Sequence, residues 1–182
     1  MTRLLDILLA SLGLLALSPL LLVIWLIGWF DNRSPLFRQE RVGRNQVSFV
    51  LVKFRTMRPD TVSVATHLAD ASTITPFGRF LRRTKLDELP QLWNVLWGDM
   101  SLVGPRPCLL NQQELTTHRA ALGVFAARPG ITGLAQVQGI DMSTPELLAK
   151  TDAQMLASLG VVDYFRYIFL TAIGRGAGDR VR

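Results

Sequence analysis

Two adjacent carboxylates, Asp87 and Glu88, stand in the run Thr84-Lys85-Leu86-Asp87-Glu88-Leu89-Pro90, directly after Arg82 and Arg83. One reading is chemical. Neighbours on a helix point about 100° apart, so the two acids divide labour: one attacks or takes a proton while the other holds a divalent metal or completes the site. A carboxylate and Mg²⁺ among arginines is what phosphoryl transfer between anions requires. The other reading is local. Thr84 followed three residues on by Asp87 has capping-box spacing, Pro90 is tolerated in a first turn, and acids there complement the helix dipole. Composition leaves both open.

Two proline-stiffened loops each present an arginine, Arg106 in Gly104-Pro105-Arg106-Pro107 and Arg128 in Arg128-Pro129-Gly130. The prolines would aim these side chains, although ordinary turns with exposed arginines look the same in sequence. Other chemistries lack their residues. His67 and His118 are isolated, no serine lies in a G-x-S-x-G context, and there is neither a Walker A loop nor a Rossmann glycine pattern. Cys108, the single cysteine, follows Pro107 in an apolar run and reads as packing; alone it excludes a disulfide framework or a multi-cysteine metal site.

These residues need elements to position them. Leu89, Leu92, Trp93, Leu96 and Trp97 predict a helix from near Asp87 to Trp97, ended by Gly98. Residues 36–42 and 47–54 read as strands of a β-hairpin turned at Gly43-Arg44-Asn45. Residues 58–76 read as a loop, and 111–122, Pro145–Leu159 and Asp163–Arg175 as helices. The fold class is α+β, mainly helical, with a small hairpin.

The chain has 182 residues, 49% hydrophobic and 19% charged, and its apolar excess is concentrated in residues 7–30, which carry no charge. As a straight helix that segment reaches about 36 Å, enough to span a bilayer core. Pro19 cannot serve the Leu15 carbonyl, so a kink or break is expected at Ser18-Pro19, leaving legs of about 16–18 Å. A kinked span and a re-entrant hairpin both fit. Cleavage as a signal peptide is disfavoured, because Ala16-x-Ser18 would place proline next. Trp25 and Trp29, four apart, suit a headgroup interface. The stretch Arg33, Arg38, Arg41, Arg44, Lys53, Arg55, Arg58, with Glu40 as its one acid, predicts that the bulk of the protein is cytoplasmic, unless it is simply a solvated or lipid-facing surface. A net charge of +6 points to a polyanionic partner; clustering beside a membrane segment argues for phosphates and lipid, and against nucleic acid.

Four ordered motifs, Lys53-Phe54-Arg55-Thr56-Met57, Leu86-Asp87-Glu88-Leu89-Pro90-Gln91-Leu92, Gly98-Asp99-Met100-Ser101-Leu102-Val103-Gly104-Pro105-Arg106-Pro107 and Arg128-Pro129-Gly130-Ile131-Thr132-Gly133, closely resemble the bacterial sugar transferase family. These are the monotopic polyprenyl-phosphate phosphoglycosyl transferases, and the resemblance runs from about Arg3 to the final helix. The chain is similar to the family's minimal form, without additional N-terminal spans. The resemblance implies two units: residues 1–31, a re-entrant membrane helix broken at Ser18-Pro19, and residues 32–182, a catalytic domain on the cytoplasmic face of the bacterial inner membrane. It implies that Asp87 attacks the β-phosphate of a UDP-sugar, expels UMP and passes the phosphosugar to undecaprenyl phosphate. Glu88 would assist, with Mg²⁺ held by Asp87 and Glu88. Lys53, Arg82 and Arg106 match positions that contact phosphate, and Arg128 of the second proline loop joins that substrate-binding set. Ile140 departs from the pattern, standing where many small members carry arginine. A rival from another class is a membrane-anchored, non-catalytic lipid-phosphate or partner-binding protein. No donor sugar, pathway product or oligomeric state is read from the chain.

Overall fold

The computed structural model describes residues 2–59 and 71–176. A single helix, α1 (Thr2–Asn32), carries the whole apolar run. Only 11% of its most apolar window is buried, which rules out an ordinary core helix, and its length and composition suffice to cross a membrane. Helical backbone runs through both Ser18 and Pro19, so no non-helical residue separates the two legs expected on either side of the proline. Pro19 offers no N–H to the Leu15 carbonyl, but Ser18 Oγ donates to that carbonyl at 2.8 Å, so the proline leaves no acceptor stranded.

Both ends of α1 are fastened to the rest of the chain. Near its start, Arg3 donates to the carbonyls of Val95 and Leu96 at 2.5 and 2.8 Å, and Asp6 is buried. At its end, Thr75 Oγ1 donates to Asp31 Oδ2 at 2.8 Å. Small residues permit close approach between these points. Ala10 is fully buried against Leu92 and Val95, and a Cβ at Gly13 would lie 3.3 Å from Leu92 Cδ1.

The expected hairpin forms, with β1 (Leu36–Val42) antiparallel to β2 (Ser48–Phe54) in a register running from Leu36↔Phe54 to Val42↔Ser48. A 3₁₀ turn over Arg44–Gln46 closes it. The expected loop over 58–76 falls largely outside the described residues, as does His67; its described end forms a 3₁₀ turn, Ala71–Thr73. Helix α2 (Pro76–Thr84) then begins with Thr75 as its cap, Oγ1 accepting from Gly78 N at 2.9 Å.

Thr84 does not cap the next helix. It closes α2, its hydroxyl donating back to the Phe80 carbonyl at 2.9 Å, so the capping box is not formed. Asp87 and Glu88 lie on a separate 3₁₀ turn, Leu86–Glu88, rather than in the first turn of α3 (Gln91–Trp97). Pro90 explains the offset, since without an N–H it cannot close an α-helical bond to Leu86, whose carbonyl accepts from Leu89 N instead. Gly98 ends α3 in the left-handed region (φ 99°), where a glycine carries no Cβ penalty.

Two short strands and one short helix escape periodicity. β3 (Ser101–Val103) and β4 (Gly130–Thr132) form a parallel pair across the two proline loops, and α5 (Leu134–Gln138) follows. The remaining helices are α4 (Gln113–Ala121), α6 (Pro145–Ser158) and α7 (Val161–Ala172), the last starting and ending earlier than expected. The fold is α+β as expected. Its core is divided among several clusters, two of which take a buried residue from α1: Ala10 with Leu51, Leu92, Val95 and Met100, and Ile24 with Phe54 and Leu81.

Candidate active site

The 3₁₀ turn carrying the acid pair sits against β2, with Leu86 packed on the cluster of Phe54 and Leu81. Lys85 links α2 to this turn in the left-handed region (φ 59°), and its Nζ donates to the Arg175 carbonyl at 2.6 Å. Burial lowers the pKa of that ammonium and Arg106 adds to the effect, while Glu88 opposes it.

Asp87 is buried, only 3% exposed. Glu88 Oε1 accepts from Arg106 Nη2 at 2.8 Å in a largely shielded ion pair. Arg82 Nε donates to Thr56 Oγ1 at 2.8 Å, whereas its Nη1 is buried without a hydrogen-bond partner among the described residues. Such a donor is costly unless something else satisfies it, and an anion does so well. Lys53, on β2, is buried with its ammonium 5.7 Å from the Phe37 ring centroid. Structure therefore gathers Arg106 at the acid pair and Lys53 and Arg82 on the elements packed around it. Arg128 goes elsewhere: its Nε donates to the Gly98 carbonyl at 2.7 Å, at the far end of α3 from the acids.

The loop bearing Arg106 is brought in by close backbone contact. A Cβ on Gly104 would lie 2.5 Å from the Arg128 carbonyl oxygen, and one on Gly130 would collide with the Gly104 nitrogen, so both positions demand glycine. Asn94, unnoticed in the sequence, docks α3 on β2: it donates to the Val50 carbonyl at 2.7 Å and accepts from Val52 N at 3.1 Å, as another strand would. Arg119 and Asp152, also unnoticed, are buried together behind the Arg106 loop. Nothing in linear spacing pairs residues so far apart.

An apolar cavity of about 240 Å³ opens beside Glu88 and Lys85, walled by Leu89, Leu92, Ile131 and Ile168. Ile140 packs toward the cluster of Val42, Cys108 and Leu115, and Cys108 is buried as expected. Among the described residues no group of three or more His, Cys, Asp or Glu stands ready for a metal. Asp87 is buried and Glu88 is already paired with Arg106, so a magnesium ion here would draw on at most these two carboxylates and would need further oxygens from a ligand to complete its shell.

Comparison with known proteins identifies relatives of this chain. The family model described as bacterial sugar transferase matches residues 1–175. A UDP-glucose:undecaprenyl-phosphate glucose-1-phosphate transferase of Caulobacter vibrioides is 43% identical over 143 residues, which is 76% of this chain and 54% of that protein. A protein of the same description from Xanthomonas campestris pv. campestris is 43% identical over 152 residues, 78% of this chain and 31% of that protein. The exopolysaccharide production protein ExoY of Sinorhizobium fredii is 39% identical over 152 residues, 74% of this chain and 67% of that protein. The chain thus spans roughly one third to two thirds of the length of these relatives.

Proposed function

This chain belongs to the bacterial sugar transferase family, and on that premise we propose that it transfers a phosphosugar from a UDP-sugar to polyprenyl phosphate, with release of UMP, to initiate polysaccharide or glycoconjugate synthesis. One arrangement carries the reading: a buried carboxylate, Asp87, beside a Glu88-Arg106 pair at 2.8 Å and an Arg82 guanidinium with one nitrogen unsatisfied among the described residues.

In this reading an Asp87 oxygen attacks the β-phosphorus of the UDP-sugar. The bond from that phosphorus to the bridging oxygen breaks, and UMP leaves with the oxygen. The sugar phosphate stays on Asp87 as an acyl phosphate. An oxygen of polyprenyl phosphate then attacks the same phosphorus, the acyl phosphate bond breaks, and Asp87 returns to a carboxylate beside a polyprenyl diphosphate sugar. Arg106, Arg82 and Lys53 counter the phosphate charge, and Glu88 keeps Arg106 in place. Mg²⁺, held by Asp87 and Glu88 with phosphate oxygens, would supply further charge neutralisation. Arg128 is assigned to holding the end of α3. The apolar cavity beside Glu88 suits the first units of a lipid acceptor.

The membrane seat follows from α1. A crossing that carried its first turns to the opposite side would strip Arg3 and Asp6 of their partners on the body that also holds Asp31. We therefore place both ends of residues 1–31 on one side, re-entrant in a single leaflet, with residues 32–182 at the cytoplasmic face of the bacterial inner membrane. Exposed Trp93, Trp97, Phe165 and Phe169 support lipid contact.

Purified protein given Mg²⁺, polyprenyl phosphate and a panel of UDP-sugars is expected to release UMP, and Asp87→Asn to abolish the release. Release of UDP, full activity in Asp87→Asn, or lipid-phosphate binding without any turnover overturns the proposal.

A further inference from the structure

Five consecutive backbone carbonyls, from Gly104 to Cys108, are each held by a donor from another part of the chain. Gly104 O accepts from Gln136 Nε2 at 3.2 Å and Pro105 O from Gly130 N at 2.8 Å. Arg106 O accepts from Arg119 Nη1 at 2.8 Å, Pro107 O from Arg41 Nη1 at 3.1 Å, and Cys108 O from Val42 N at 2.9 Å. Pro105 and Pro107 have no N–H to offer, so fastening through carbonyls is the route left to this loop at those positions.

The central donor is unusual. Arg119 is only 2% exposed, and Asp152 is fully buried. Nε and Nη2 of Arg119 both reach Asp152 Oδ2, at 3.0 and 2.6 Å, which leaves Nη1 for the Arg106 carbonyl. Asp152 Oδ1 has no hydrogen-bond partner among the described residues. Burial raises the Asp152 pKa against the pull of Arg119, as expected for an incompletely satisfied carboxylate. A buried ion pair of this kind is weak evidence for stability, since replacement by apolar residues is often neutral or better. Its geometry serves something else. It fixes one atom, the carbonyl of the residue whose side chain meets Glu88.

We propose that Arg119, braced by Asp152, is a positioning residue that sets the backbone at Arg106 and thereby aims the Arg106 guanidinium at Glu88 and the bound diphosphate. The substrate half of this statement rests on the reaction proposed above; the clamp itself does not. Lysine at position 119 keeps a positive charge for Asp152 but replaces a planar fork with a point charge, which cannot reproduce the three-donor bridge.

The experiment has two arms. In the kinetic arm, Arg119→Lys lowers kcat for UMP release about 100-fold while the KM for UDP-sugar changes less than about threefold. In an Arg106→Ala background the same substitution changes kcat less than about threefold, because the group it positions is already gone. Equal fractional losses in both backgrounds overturn the proposal, since loss of folded protein would act alike in each. In the second arm, a thiol reagent reads the burial of the single cysteine, Cys108, at the end of the loop. Labelling is expected about tenfold faster in Arg119→Lys, and at the wild-type rate in Leu81→Val, which perturbs a different cluster. Unchanged labelling in Arg119→Lys, or an equal rise in Leu81→Val, overturns the clamp. Should wild-type protein release no UMP, the reaction reading fails while the labelling arm still decides the clamp.

Discussion

Tyr164 donates its phenolic hydrogen to Asp6 Oδ1 at 2.7 Å, joining α7 to the second turn of α1. The same oxygen accepts from Ser101 Oγ and from Leu102 N, each at 2.9 Å, so one carboxylate ties α1, β3 and α7 together. An acid at the edge of an apolar segment would ordinarily seek water. Here it is buried and satisfied by three donors, making the start of α1 part of the fold.

Removing the two partners of this contact is expected to have unequal consequences. Tyr164→Phe deletes one hydrogen bond and costs about 1 kcal/mol, whereas Asp6→Ala strands three donors, two of them buried, and costs about 3 kcal/mol or more. Thermal unfolding in detergent checks the order; equal costs would mean that Asp6 is not the hub.

A pH dependence follows from the same contact. Burial, with the Asp6 hydrogen bond and charge adding to it, raises the pKa of Tyr164 above the ordinary tyrosine value of 10.0. A raised folded-state pKa means that this stability is fully present below about pH 10 and is lost as the unfolded tyrosine ionises above it. Unfolding midpoints should therefore fall more steeply above pH 10 in wild type than in Tyr164→Phe.

Asn94→Ala should be among the more destabilising single changes in α3. It leaves the Val50 carbonyl and Val52 N–H without their partner and costs about 3 kcal/mol. Because α3 follows directly on the acid-bearing turn, UMP release should drop in the soluble, folded fraction as well. Wild-type stability in Asn94→Ala would remove this docking role.

The course of α1 is testable in cells. Thr2→Cys and Gln138→Cys, both at exposed positions, are expected to resist an impermeant thiol reagent applied outside intact cells and to react once the inner membrane is opened. Reaction of Thr2→Cys alone in intact cells would show a crossing helix and would part Asp6 from Tyr164.

Legibility followed the range of the interactions. The hairpin was readable because its alternation and turn residues are local, and its observed ends differ from the expected ones by a single residue. The end of α3 at Gly98 was readable for the same reason. The acid pair and its cations were legible as types, and the motifs grouped them, but their seat was not. Pro90 shifted the acids onto a 3₁₀ turn, and Thr84 spent its hydroxyl on α2. Ser18 lies beside Pro19 in plain view, yet its repair of the Leu15 carbonyl depends on a rotamer that spacing does not specify. β3 and β4, three residues each, are too short to show any period.

By itself, the sequence determined the apolar helix, the hairpin, the acid pair among cations and the family, since each rests on composition, local periodicity or a contiguous motif. Only tertiary structure decided which arginines serve the acids. Arg106 is brought to Glu88 by a loop whose carbonyls are held by five residues from elsewhere in the chain, while Arg128, equally well placed in its own proline loop, is drawn to the Gly98 carbonyl. The physical reason is that a guanidinium goes where an acceptor meets its fork. Which acceptor that is depends on backbone brought together from distant parts of the chain.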